Sequence, residues 1–245
     1  GQLPYAPQLW TRWQEASLYD DYVQLSGDTS TTYGQLADVS DISVSGLGIA
    51  NVTLAWGDDI TTTTNAGTYA YSDTDVLDIS TSSSDGVYVD YGTDMLTINQ
   101  ASITLSVADI TKTYDGTVNA TGTVIVSSGT LFGTDSLNDG NLSFSDKNVG
   151  TNKTVTFSGI AINDGNDGKN YAINYVNSTN SSITPATISS ITGITANNKT
   201  YNGTTTAALN TANANFIGMI SGDALSVAQA SASFSSNSIG TNKTV

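Results

Sequence analysis

The chain of 245 residues has no cysteine, no histidine, three prolines and a single glutamate, Glu15. Without cysteine there is no disulfide scaffold, no thiol nucleophile and no thiolate metal site. Without histidine, Ser-His-Asp and Cys-His catalysis fall away, as do ordinary zinc and copper sites. A carboxylate-pair glycosidase needs two acids flanking a cleft, and no Asp stands in an aromatic context that marks one. No enzymatic activity is expected. Bases are scarce as well: 7 Lys and Arg face 22 Asp and Glu, for a net charge of −15. That charge opposes nucleic acid and anionic membrane surfaces. No apolar run approaches ~18 residues, so membrane insertion is not expected. No basic segment leading into an apolar stretch opens the sequence, so no signal peptide is expected within it.

What the chain has instead is 37 Thr, 31 Ser and 22 Asn, more than a third of its length. Its charge is uneven. Residues 1–100 hold 14 acids against Arg12, whereas residues 101–245 hold 8 acids against 6 Lys. An acidic, solvated surface explains this first half, and a cation-binding segment would explain it too.

Internal repetition organises the rest. The run from Phe144 through Lys153 to Val155 reappears from Phe234 through Lys243 to Val245, with eight of twelve positions identical at an offset of 90. Upstream, Lys112-Thr113-Tyr114-Asp115-Gly116-Thr117 matches Lys199-Thr200-Tyr201-Asn202-Gly203-Thr204 at an offset of 87. A fainter copy is Thr32-Tyr33-Gly34, with Asn65-Ala66-Gly67-Thr68 answering Asn148-Val149-Gly150-Thr151. We read a junction segment at 1–25 and three repeats at 26–101, 102–187 and 188–245. The third stops where the second has about 32 further residues, which points to a slice of a longer chain.

Polar–apolar alternation in 41–45, 51–56, 102–107 and 154–158, and in Tyr171, Ile173 and Tyr175, predicts strands with one buried and one wet face, as in antiparallel sheets. Thr suits the wet face because it is β-branched and polar. Clusters such as Asp164-Gly165-Asn166-Asp167-Gly168 supply turns. The predicted fold is all-β: tandem small β-sandwich modules, Ig-like or β-grasp-like, in an elongated array. Ile98 to Ile103 aligns with Ile183 to Ile188, so closing and opening strands of neighbouring repeats run nearly directly together and the string is semi-rigid.

The junction segment is aromatic, with Tyr5, Trp10, Trp13, Tyr19 and Tyr22. Thr11 and Gln14 have the spacing of a capping box on a short helix. Such a helix would plug against a neighbouring module or offer sugars a stacking platform.

Hard oxygen ligands suggest calcium as a candidate ion. Asp73, Asp75 and Asp78 place two carboxylates on one strand face with a third nearby, and Asp164, Asn166, Asp167 and Asn170 offer oxygens from one loop. Neither segment has EF-hand spacing, and ordinary acidic turns fit both as well. Tyr33, Tyr114 and Tyr201 recur once per repeat, as core or corner residues do, with their hydroxyls expected on backbone; Gly34, Gly116 and Gly203 then serve the following turn. Lys112 and Lys199 read as exposed strand ends, an internal isopeptide crosslink being the alternative. Sequons, among them Asn119, Asn152 and Asn202, leave glycosylation open.

The two Lys-Thr-Tyr-Asp/Asn-Gly-Thr hexapeptides resemble the YDG repeat. Thr32-Tyr33-Gly34, with Val39 to Val44 and Leu96-Thr97-Ile98, resembles the neighbouring MBG repeat. The resemblance covers nearly all of residues 26–245. It implies large bacterial surface adhesins of the filamentous-haemagglutinin, two-partner-secretion type. From it follow an extracellular, cell-surface location and export through an outer-membrane transporter. It also implies a non-enzymatic stalk or adhesive region serving attachment in biofilm. Expected partners are polysaccharide or other surface glycan, or sibling chains. A cysteine-free chain suits export in the unfolded state, and low lysine content suits exposure to proteases. The rival expectation is an extracellular filament that polymerises by strand addition into the incomplete third repeat, and a matrix or S-layer scaffold is a third.

Overall fold

The computed structural model describes residues 21–47, 51–82, 87–138 and 140–245. The candidate helix at Thr11 and Gln14, with Trp10 and Trp13, lies outside the described residues. Among the described residues the regular elements are β-strands, apart from one 3₁₀ turn at Val39–Asp41. The chain divides into two compact units. The first combines 1–106, 124–140 and 159–176, and the second combines 107–123, 141–158 and 177–245. Repeat two therefore contributes strands to both units, and each unit straddles a boundary between repeats.

In the first unit, Asp21–Ser26 lies between Ser43–Leu47 and Val87–Asp90. This strand begins inside the segment 1–25 that the sequence sets apart, so its residues 21–25 belong to the sheet. Met95–Asn99 lies between Thr29–Thr32 and Gly67–Ala70, and Thr53–Trp56 pairs with Leu77–Ser80. Ala101–Val107 lies between Val124–Ser128 and Tyr171–Val176, and Ser136–Asn138 pairs with Ala161–Asn163. Only Gln100 separates Met95–Asn99 from Ala101–Val107. One run of backbone thus closes a sheet of repeat one and opens a sheet of repeat two.

Alternation explains the core. Ala101, Ile103, Leu105 and Val107 are buried along one strand, as are Leu96 and Ile98 on the strand before it. Val23, Leu25, Tyr33 and Tyr71 are buried with them. Each of the Val, Leu and Ile side chains contributes about 1.5–3 kcal/mol by leaving water.

The second unit holds a five-stranded sheet in the order Thr111–Thr113, Ser178–Thr184, Gly150–Ser158, Asn141–Phe144, Asn119–Ala120. Leu142, Phe144, Val155 and Ile183 are its buried apolar residues. Repeat three is thinner. Its strands form three two-stranded pairs: Ser190–Thr192 with Asn215–Ile217, Thr195–Ala196 with Leu209–Asn210, and Thr206–Ala207 with Ala232–Ser233. Ala207 is its one fully buried apolar residue among the described residues, while Ile191, Tyr201, Met219 and Ile239 are exposed. So little buried apolar surface makes this the first part of the unit to open.

Two features differ from the sequence reading. Every sheet of three or more strands contains a parallel pair, rather than being antiparallel throughout. Asp21–Ser26 runs parallel to Val87–Asp90, Thr29–Thr32 to Met95–Asn99, Ala101–Val107 to Tyr171–Val176 and Thr111–Thr113 to Ser178–Thr184. In repeats one and two the opening strands are thus closed by the last ones. Alternation reports only which face is buried, and parallel neighbours must come from distant sequence. Secondly, the run from repeat two into repeat three is interrupted: after Ser178–Thr184 no strand forms until Ser190. Pro185 has no N–H to continue the ladder.

Candidate functional site: the repeated loop and the joints between repeats

The repeated hexapeptide folds around its lysine. Lys112 Nζ donates to Asp115 Oδ1 at 2.8 Å, to the Thr117 carbonyl at 2.8 Å, to Thr117 Oγ1 at 3.2 Å and to the Asn119 carbonyl at 2.8 Å. It also stands 5.5 Å from the centre of the Phe144 ring, within cation–π range. The second copy repeats this set. Lys199 Nζ donates to Asn202 Oδ1 at 3.0 Å, to the Thr204 carbonyl at 2.7 Å and Oγ1 at 3.0 Å, and to the Thr206 carbonyl at 3.0 Å, and lies 5.8 Å from the Phe234 ring centre. The lysines are therefore engaged by four acceptors each; Lys112 is half-buried, whereas Lys199 is exposed as expected. With only three N–H donors per ammonium, one proton is shared.

Asp115 Oδ1 also accepts from the Thr117 N–H and hydroxyl. The hydrogen bond from Lys112, followed by those from Thr117, lowers its pKa to about 2. Gly116 and Gly203 take φ of 79° and 77°, the left-handed region that a side chain disfavours.

The two repeated motifs dock on each other. Phe144 N–H donates to the Val118 carbonyl and Ser145 N–H to that of Thr154, and Phe234 and Ser235 do the same with Thr205 and Thr244. Asn152 and Asn242 both take positive φ. Lys153 reaches Asp146 at 2.6 Å, where Lys243 reaches Ser236 at 2.6 Å. Repeat three thus keeps both lysines while Asn202 and Ser236 replace the two acids that neutralise them in repeat two.

The tyrosines of the first two motifs work at joints. In the first unit, Tyr33 is buried and its hydroxyl donates to Asp135 Oδ2 at 2.9 Å, not to backbone. Tyr171 donates to the same oxygen at 2.6 Å while its own hydroxyl accepts the Phe132 N–H. The Tyr33 ring meets Phe132 and Tyr171 edge-on, with centroids 5.9 and 5.4 Å apart. Burial, then the hydrogen bond to Asp135, pushes the Tyr33 pKa up to about 12, and the same two causes raise that of Tyr171. In the second unit, Tyr114 donates to Asp223 Oδ1 at 2.9 Å, and this bond, with burial, raises its pKa. Asp135 and Asp223 each end a tight turn: their N–H groups donate to the carbonyls of Phe132 and Ile220, three residues earlier. Each tyrosine therefore holds an aspartate of the repeat that follows it.

The candidate calcium loop is part of the first joint. Asp164 Oδ1 accepts the N–H groups of Asn166 and Gly168, both at 2.8 Å, and Oδ2 accepts that of Asn170 at 3.0 Å. Burial would raise the Asp164 pKa, but these three N–H groups outweigh it and hold it below the ordinary carboxylate range. Asn170, fully buried, donates to Asn65 Oδ1 at 3.0 Å and accepts from the Ala66 N–H and Asn166 Nδ2. Its carbonyl accepts the Ala101 N–H. Asn166 thus points its amide at Asn170, and Asp167 is exposed beside Lys169, 3.6 Å away. Asp73 and Asp75 lie on the turn before Leu77–Ser80 and Asp78 lies within that strand, all three exposed. Among the described residues no three acidic side chains form a metal-ligating group.

Sequence reasoning missed Asp135 and Asp223, and it read Asn170 only as an oxygen of the acidic loop. A signal exists for the first two: Phe132-Gly133-Thr134-Asp135-Ser136-Leu137 and Ile220-Ser221-Gly222-Asp223-Ala224-Leu225 lie 88 apart. Only Asp and Leu are shared, too little to stand out. Nothing in the sequence pairs Asn170 with Asn65, 105 residues away.

No curated protein and no solved structure matches the chain. The family description YDG domain matches residues 98–181 and again residues 184–245. The two matches cover more than half of the chain, and each contains one lysine-wrapped loop and its partner phenylalanine. The chain belongs to the YDG domain family.

Proposed function

We propose that the chain is a repeat segment of a non-enzymatic bacterial surface adhesin. It acts outside the cell as a stiffened stalk whose repeats add weak contacts to surface glycans. The observation that carries this reading is the use made of polar groups at the joints: buried Tyr33 and Asn170 and half-buried Tyr114 spend theirs tying one repeat to the next. Side chains so employed transmit load and orientation along a chain of modules. Many weak contacts on such a chain gain by avidity what each lacks in affinity. Repeat one is then MBG-like. Closure by parallel first and last strands favours β-grasp-like modules over Ig-like ones, whose sheets are antiparallel. Export passes through an outer-membrane transporter.

The test is a screen of the whole chain against bacterial exopolysaccharides and host glycans. Saturable binding makes the repeats adhesive themselves. Binding to none of them reduces the function to that of a spacer.

One observation favours a second reading, a filament subunit joined by strand addition. A groove of about 690 Å³ runs beside Lys199, Tyr201, Phe234 and Lys243. In repeat two Lys112 and Lys153, which match Lys199 and Lys243, lie on the two strands that flank Ser178–Thr184. Fibres that grow with protein concentration would establish this reading, and a monomer at every concentration would remove it.

A further inference from the structure

The two joints share one recognition geometry, and the chain carries it a third time with the receptor side open. At the first joint Gly34, with φ 91°, leaves no room for a side chain: a Cβ there would stand 2.5 Å from the Phe132 ring. At the second, a Cβ on Gly116, φ 79°, would stand 3.0 Å from Ile220 Cγ2. In both, the residue that crowds the glycine lies three before the aspartate that takes the tyrosine hydroxyl. The tyrosine backbone is set in the same way each time, Tyr33 N–H donating to the Asn99 carbonyl and Tyr114 N–H to that of Thr184. The receptor is thus a tyrosine hydroxyl beside a bare glycine. What it receives is a turn that presents a large apolar residue and, three positions on, an aspartate.

Tyr201-Asn202-Gly203 has the same receptor with nothing in it. Gly203 takes φ 77°, nothing lies within 4 Å of its Cβ position, and Tyr201 is 61% exposed.

We propose that Tyr201 and Gly203 form a docking corner for one further YDG module in the same polypeptide. That module inserts a turn of the form apolar-x-x-Asp, its apolar residue over Gly203 and its aspartate on the Tyr201 hydroxyl. Repeat one does not offer such a turn to a second copy of the chain: the stretch between Ser43–Leu47 and Thr53–Trp56, which matches that between Val124–Ser128 and Ser136–Asn138, carries no aspartate. The turns that do carry aspartate, at Asp135 and Asp223, are already occupied.

The offset of 90 that aligns Val245 with Val155 gives a splice point for the test. Three chains are compared by the rate at which tetranitromethane nitrates Tyr201, read by peptide mapping. They are residues 1–245, the same followed by a copy of 156–187, and the same followed by a copy of 156–245. The second completes repeat three with its own closing strands, and the third adds a further module with its turn. Tyr201 is expected to react at similar rates in the first two and at least about tenfold more slowly in the third, as in a closed local state. Changing the appended copy of Asp223 to Ala restores the fast rate. Protection already in the second chain overturns the proposal, because the repeat's own strands then cover the corner. So does undiminished reactivity in the third. Protection that appears in 1–245 only at high concentration also overturns it, by making a second copy the occupant. A control needs no added module. In 1–245 itself, Asp223→Ala must speed nitration of Tyr114, and a Tyr114 that stays protected refutes the recognition geometry at its source.

Discussion

Replacing Tyr33 by phenylalanine removes one hydroxyl and keeps the ring. The lost bond is 2.9 Å long, its acceptor is the Asp135 carboxylate, and the ring is 2% exposed. A hydrogen bond to a charged group contributes about 1.5–3 kcal/mol. Asp135 retains Tyr171 as a donor at 2.6 Å, so the carboxylate is not orphaned and the lower end of that range applies. With a urea slope of about 2 kcal/mol per molar, the unfolding midpoint of the first unit falls by roughly 1 M. The same variant changes the response to alkali. Tyr33 has a folded pKa of about 12 against an ordinary 10.0. A pKa raised on folding means that the folded state holds the proton more tightly. The contribution is therefore whole below pH 10 and is lost as pH rises through 12, roughly 2–3 kcal/mol in all. Urea titrations from pH 7 to 12, followed by circular dichroism and by tyrosinate absorbance, measure both effects. Tyr33→Phe should lower stability at pH 7 and flatten the loss above pH 10, whereas Tyr201→Phe, at a ring 61% exposed, should do neither. A Tyr33→Phe chain as stable as the original at pH 7, with the same alkaline loss, refutes the joint as a stabilising contact.

Three further outcomes follow from the geometry. Lys112→Met leaves the Thr117 and Asn119 carbonyls and Asp115 without their ammonium. The contribution of Asp115, whose folded pKa is about 2 against an ordinary 3.8, is present above about pH 4 and lost as pH falls towards 2. Acid titration of the variant should show a weaker loss over that window, beginning from a lower stability at neutral pH. Asn170→Ala strands the Ala66 N–H and Asn65 Oδ1 at a fully buried position and should cost about 1–3 kcal/mol in denaturant unfolding. A chelator should leave the melting temperature unchanged, because the Asp164 carboxylate is already filled by three backbone N–H groups. A fall on chelation, restored by calcium, would return the loop to the metal candidates.

The repeats, the β class and the strand faces were legible in the sequence because they are local properties. A strand such as Ala101–Val107 announces its buried face through every second residue, and the lysine-wrapped loop is closed within eight residues, so its copies can be matched by eye. Asp164 was found with both roles left open, since a carboxylate that binds a cation and one that caps its own loop have the same neighbours in sequence. What the sequence by itself determined is therefore the modular plan and the chemistry of each loop. Only the tertiary structure decided that opening and closing strands run parallel, that the compact units straddle the repeats, and that Tyr33 and Tyr114 hold Asp135 and Asp223, 102 and 109 residues away. The physical reason is range. Alternation and turn propensity act over a few residues, whereas a buried hydroxyl takes whichever acceptor the folded chain brings to it, and that choice leaves almost no mark on the residues in between.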